Sequence, residues 1–233
     1  TSSGTLSGID ILNIQEGIST TPGSVVFNGN LLVNTLTTQS SAYDISLYGT
    51  TNTIQNAVTF NNTGNLNLGN GSDTINFVGG LTTSSPSLVN INGTIQSEGT
   101  STLSLGDSNT GVKILANSTI GGTSTGNINI SAVTLSDGAT LTLGTGINNN
   151  INVDSVSGTA SGTVSNLGIN SIGEVSIGNI GTDIGTTTIT KSGGTTFTGT
   201  VNTNNLTILD STENKTISFN GNLTVNTAMS AAT

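Results

Sequence analysis

The chain has 233 residues, a net charge of −9, only 6% charged and 3% aromatic side chains, and no Cys, His or Trp. Those absences remove disulfides and thiolate or imidazole metal sites, together with the commonest nucleophile and general base of enzymes. With Lys113, Lys191 and Lys215 as its only basic side chains, the chain has no cluster able to neutralise phosphates, so no nucleic-acid partner is expected.

Apolar side chains make up 32% of the residues, and Gly, Thr, Ser and Asn supply most of the rest. Polar low-complexity chains often fail to bury enough surface to offset chain entropy and stay disordered. Low charge, two prolines and a regular apolar pattern oppose that reading here.

Taken along the chain, the apolar residues fall in pairs separated by one residue. The first are Val25/Phe27, Ile45/Leu47, Val58/Phe60, Leu66/Leu68 and Ile75/Phe77. Then come Val89/Ile91, Leu103/Leu105, Val112/Ile114, Ile128/Ile130, Leu141/Leu143 and Ile151/Val153. Leu167/Ile169, Val175/Ile177, Leu206/Ile208, Ile217/Phe219 and Leu223/Val225 complete the series. A period of two puts both members of a pair on one face of a strand. No stretch has helical spacing, and Gly, Asn and Thr disfavour helix throughout.

Between the pairs stand turn clusters such as NNTGN at 61–65, GNGSD at 69–73, GGTSTGN at 121–127 and SDGAT at 136–140. Short strands with two inward positions, cut by residues that tolerate left-handed backbone, predict an all-β parallel β-helix (β-solenoid). Tandem β-sandwich modules are the competing architecture, although these strands are short and the core lacks large side chains. The steps from Val25/Phe27 to Ile45/Leu47 and on to Leu66/Leu68 suit one coil of a three-sided helix, and later steps drift. Asn at successive turns is expected to stack in hydrogen-bonded ladders.

The stretch FNGNLLVNT from Phe27 returns as FNGNLTVNT from Phe219, 192 residues later. The chain is therefore read as a single elongated solenoid segment, 1–233, in which 217–233 resembles 25–42 and opens a next repeat of about 192 residues. The final strands, at Phe219, Leu223 and Val225, form an assembly edge that seeks continuation by the same chain or another subunit. No apolar run is long enough to span a membrane. The chain starts in a polar, strand-like region, as a mature or excised segment would, with any export signal lying elsewhere.

FNGNL-x-VNT, VTFNNTGNLNLGNGSDTINFVGG at 58–80 and LSDGATLTLGTG at 135–146 together resemble, in style and over nearly the whole chain, bacterial autotransporter passengers and filamentous-haemagglutinin-like giant surface proteins. The resemblance implies secretion, a right-handed parallel β-helix and work as an adhesin, filament or surface coat. Its partners would be itself or neighbouring repeats end to end, with host or matrix glycans as further candidates.

Among candidate sites, LGNGSDTIN at 68–76 matches the calcium-binding nonapeptide of repeat-in-toxin proteins at Gly69, Gly71, Asp73 and Ile75. A single copy lacks the partner turn, and a lone match of this kind is more often a plain Gly-Asp turn before a strand. Asp107 and Asp137 are similar turn aspartates whose simplest role is the Asx-turn. Tyr43 and Tyr48 flank the Ile45/Leu47 pair, one directed to the core and one near a turn.

No two carboxylates stand together on one strand face, so no glycosidase pair is formed and a non-enzymatic role is expected. Thr-x-Thr stretches at 140–145, 186–190 and 196–200 admit an ice-binding face, set against unequal spacing and the ordinary strand preference of Thr. The leading reading is an extracellular stalk, filament or adhesive repeat on a bacterial surface. A self-assembling surface-layer or sheath subunit, with or without calcium, is its rival, and polysaccharide binding a further one.

Overall fold

The structure, a computed structural model, describes residues 1–15, 22–210 and 215–232; the 217–233 stretch is thus described through 232. Its described strands, running from Leu6–Ile14 to Leu223–Ala231, form one 22-stranded sheet. Every pairing between them is parallel. Sandwich modules are built from antiparallel strands, so the architecture is the β-solenoid.

Three faces close each coil. On the first face, Val25 pairs with Ile45 and the column climbs through Leu66, Val89, Val112, Val133, Val156, Ile180 and Val201 to Leu223. Those nine steps are about nine coils. The second face stacks Ile54, Phe77 and then, two residues back along the strand, Ile75, Ile95, Ile120, Leu143, Ile169, Ile189 and Ile208. The third runs from Val58 through Leu81, Leu103, Ile128, Ile151, Val175 and Thr195 to Ile217.

These columns are the apolar pairs of the sequence. One coil buries too few side chains to be stable alone; stacking joins the Ile, Leu, Val and Phe residues from Ile14 to Val201 into one core, most of them with no exposed surface. Aromatic rings lie inside it. Phe60 meets Phe77 edge-on at 6.2 Å, and Tyr43 is buried with its hydroxyl donating to the Ile14 carbonyl at 3.1 Å and accepting from the Gln39 N–H at 3.0 Å. Tyr48, at the corner beside Gly49, is half-buried.

At the corners the backbones of successive coils nearly touch. A Cβ on Gly49 would stand 2.6 Å from the Gly29 carbonyl oxygen, one on Gly29 would collide with the Gly4 carbonyl, and one on Gly221 with the Gly199 carbonyl. The Asn-Gly-Asn of both matching stretches is thus a corner sequence. The two copies, however, turn different corners. Phe27 leaves the first face for the second, where Val33 pairs with Ile54; Phe219 leaves the third face, where it pairs with Phe197, for the first. The offset of 192 residues does not return the chain to the same face.

Asn side chains carry coil-to-coil hydrogen bonds. Asn90 donates to Asn67 Oδ1 at 2.8 Å, Asn152 to Asn129 Oδ1 at 3.1 Å, and Asn226 to Asn202 Oδ1 at 3.2 Å. Others accept a backbone N–H of the next coil, as Asn117 does from Thr140 and Asn166 from Thr186, both at 3.0 Å. Among the described residues no helix is long and apolar enough to cross a membrane.

Candidate functional site

The 69–73 turn is a bulge where Asn65–Phe77 passes from the first face to the second; register with the next coil is lost between Leu68 and Asp73. Gly69 has φ +79, and a Cβ there would collide with the Asn92 carbonyl. This is the left-handed, close-approach position that demands glycine. Gly71 has open space around it. Asp73 is buried, and its Oδ2 accepts the Asn70 N–H at 2.7 Å.

Asp73 therefore caps its own bulge. Among the described residues no three His, Cys, Asp or Glu side chains come together as a metal would require. Asp107 makes the Asx-turn, its Oδ1 accepting from Asn109 N at 2.8 Å and Thr110 N at 2.9 Å. Asp137 instead reaches a neighbouring coil, where its Oδ1 accepts from the Thr159 hydroxyl.

At the C-terminal end, Phe219 lies on Phe197 with ring centroids 4.9 Å apart. Leu223 and Val225 pair downward with Val201 and Thr203. Among the described residues, nothing pairs with the other edge of Leu223–Ala231, and Leu223 and Met229 are exposed there at 37% and 55%. The three residues of the expected edge thus share the terminal coil, Phe219 from the third face and the other two from the first.

On the third face a shallow polar trough is floored by Gly194 and bordered by Asn150, Asn152, Glu174, Thr196 and Lys215. Asn150 Oδ1 already accepts the Glu174 N–H at 3.2 Å. The trough has no aromatic platform on which a sugar ring could stack.

A scan of protein-family models gives no match, and neither do searches of curated proteins and of solved structures.

The second face carries a feature that spacing in the sequence conceals. Thr51, Thr74, Thr94, Thr119 and Thr142 pair in unbroken succession; the column then continues through Gly168, Thr188, Thr207 and Ser230. From Thr74 to Thr188 each points outward between buried neighbours, whereas Thr51 follows exposed Thr50 and Ser230 sits among exposed residues. Of the Thr-x-Thr stretches, those at 140–145 and 186–190 join this column, while 196–200 starts on the third face. The signal that finds the column is a Thr directly before the inward Ile or Leu, as in Thr74-Ile75, Thr94-Ile95, Thr119-Ile120, Thr142-Leu143, Thr188-Ile189 and Thr207-Ile208.

Proposed function

We propose that the chain is a non-enzymatic, extracellular segment of a bacterial surface protein, serving as a stalk, filament or adhesive repeat. The observation that carries this reading is the unbroken parallel ladder, whose apolar column on the first face runs through every coil from Val25 to Leu223. An open parallel edge templates further strands, so added coils or another subunit would lengthen such a rod without a break in the ladder. A continuous ladder then supplies length and stiffness, and polar faces repeated coil after coil supply weak multivalent contact.

The style of the sequence supports export. Immunolabelling of intact source cells tests the location: surface label is expected, and label only after permeabilisation sinks the reading. The rival, a self-assembling sheath or surface-layer subunit, is favoured by the same edge. Electron microscopy of the isolated chain across a concentration series separates the two. Fibres that lengthen with concentration assign end-to-end assembly of subunits, and single short rods at every concentration assign a repeat within a longer stalk.

A further inference from the structure

We infer that the threonine column of the second face is an ice-adsorbing surface. Seven of its nine positions from Thr51 to Ser230 are threonine, whereas threonine is 44 of 233 residues overall, or about one in five. Strand preference does not account for the full enrichment, because the equivalent outward columns carry less threonine, one position of seven on the first face and three of eight on the third. The first face reads Val26, Ser46, Asn67, Asn90, Lys113, Thr134, Ser157. The third reads Thr59, Thr82, Ser104, Asn129, Asn152, Ser176, Thr196, Ser218.

The column also differs in how its polar groups are used. On the first and third faces, outward amides bond one another, as Asn90 does with Asn67 and Asn152 with Asn129. Among the described residues, none of the seven threonine hydroxyls on the second face has a partner in the protein. They are held in a rigid row at the strand spacing of roughly 4.8 Å and left free for an external partner with a comparable repeat.

Charge selects the class of that partner. In a chain of net charge −9, the column itself carries no charged side chain, and charge stands at its margin, in Glu98, which accepts from Asn76 Nδ2 at 2.6 Å, and in Lys191, paired with Asn170, so the row matches an uncharged lattice. Crystalline polysaccharide would be uncharged and periodic too, but its sugar rings call for aromatic platforms, and every Phe of the chain is turned inward or toward a ring neighbour. Ice needs no such platform. Its hexagonal oxygen net has a repeat close to the strand spacing; each hydroxyl can replace a lattice hydrogen bond, and each methyl orders the water around it. Pre-organisation by the solenoid means that no side-chain row must be ordered on contact.

Gly168 is the one interruption before the column ends at Ser230. A Cβ there would stand 3.5 Å from Thr142 Oγ1 and 3.8 Å from the Leu141 carbonyl oxygen, ordinary contacts. Gly168→Thr therefore completes the row from Thr51 to Thr207 with room for its Cβ.

The test is partition of the purified chain into slowly grown ice, with thermal hysteresis as a second readout. The wild type is expected to enter the ice. Thr94→Lys combined with Thr119→Lys lowers adsorption by at least about tenfold, Gly168→Thr raises it, and Asn129→Lys on the third face leaves it unchanged. Circular dichroism melts establish that each variant is folded; should the lysine pair unfold the chain, Thr94→Ser with Thr119→Ser removes only the methyls and must still lower adsorption. Exclusion of the wild type from ice overturns the inference, as do equal effects of the second-face and third-face lysines. A change of oligomeric state in the lysine variants without a change in adsorption also overturns it and assigns the face to lateral pairing of rods.

Discussion

The rings of Phe197 and Phe219 stack almost in parallel, 4.9 Å between centroids and 10° between planes, one coil apart on the third face. Phe197 is fully buried and Phe219 only partly. Phe197→Ala opens a cavity between coils and is expected to cost about 3–5 kcal/mol. Phe219→Ala should cost less and act locally, loosening the terminal coil. Urea unfolding measures the first, and amide exchange across 217–231 the second; equal global losses from both would contradict this.

Asn52 is a buried corner amide whose Oδ1 accepts the Leu31 N–H at 2.9 Å and whose Nδ2 donates to the Gly49 carbonyl at 2.7 Å. Asn52→Ala strands both backbone groups in the interior, and each such loss costs about 1–3 kcal/mol. Asn152→Ala, on the exposed amide ladder of the third face, is expected to fall within about 1 kcal/mol of wild type. Comparing the two denaturation midpoints checks the difference.

The two roles open to Asp73 separate on substitution and on chelation. As a cap for the Asn70 N–H, it is replaceable by Asn with little change, while Asp73→Ala costs about 1 kcal/mol. Its melting temperature then stays the same in calcium and in EDTA. A melt that rises with calcium in the wild type and not in Asp73→Asn would assign the carboxylate to a cation instead.

Two glycines predict opposite signs. A Cβ on Gly178 would collide with the Asp154 carbonyl oxygen of the coil below, so Gly178→Ala must push backbones apart, at about 1–3 kcal/mol. Gly168 has room and no left-handed backbone, so Gly168→Ala should stabilise by about 0.4–1 kcal/mol through the unfolded chain. Thermal melts of the two variants side by side read the sign directly.

Much of the fold was legible because alternation is local. A residue two positions along the same strand from a buried Ile shares its face, and so Val25/Phe27, Ile45/Leu47 and Leu66/Leu68 announced both their inward faces and the first coil steps. The coil register beyond them was hidden by the corners. The bulge at 69–72, the link between Leu143 and Ile151 and the loop between Gly158 and Ser165 each insert different numbers of residues, so equal steps in space became unequal steps in sequence. For the same reason the threonines of the second face read as scattered, their steps running from the short Thr188-to-Thr207 to the long Thr142-to-Gly168. The stretches at Phe27 and Phe219 show the same limit in the other direction. Identical corner chemistry made them look like one place revisited, although they turn different corners.

By itself the sequence determined that this protein is all β, built of short strands with a narrow aliphatic core, and without the His, Cys or clustered basic groups that most enzymes and nucleic-acid binders use. Period-two burial and turn chemistry act over a few residues, and a few residues suffice to read them. Only the tertiary structure decided which strands lie above which. That choice depends on how much chain each corner extrudes before the backbone hydrogen bonds of the next coil close, as at Gly69 and Asp73. It is this choice that placed Thr94 beneath Thr119 and turned separate Thr-Ile dipeptides into one face.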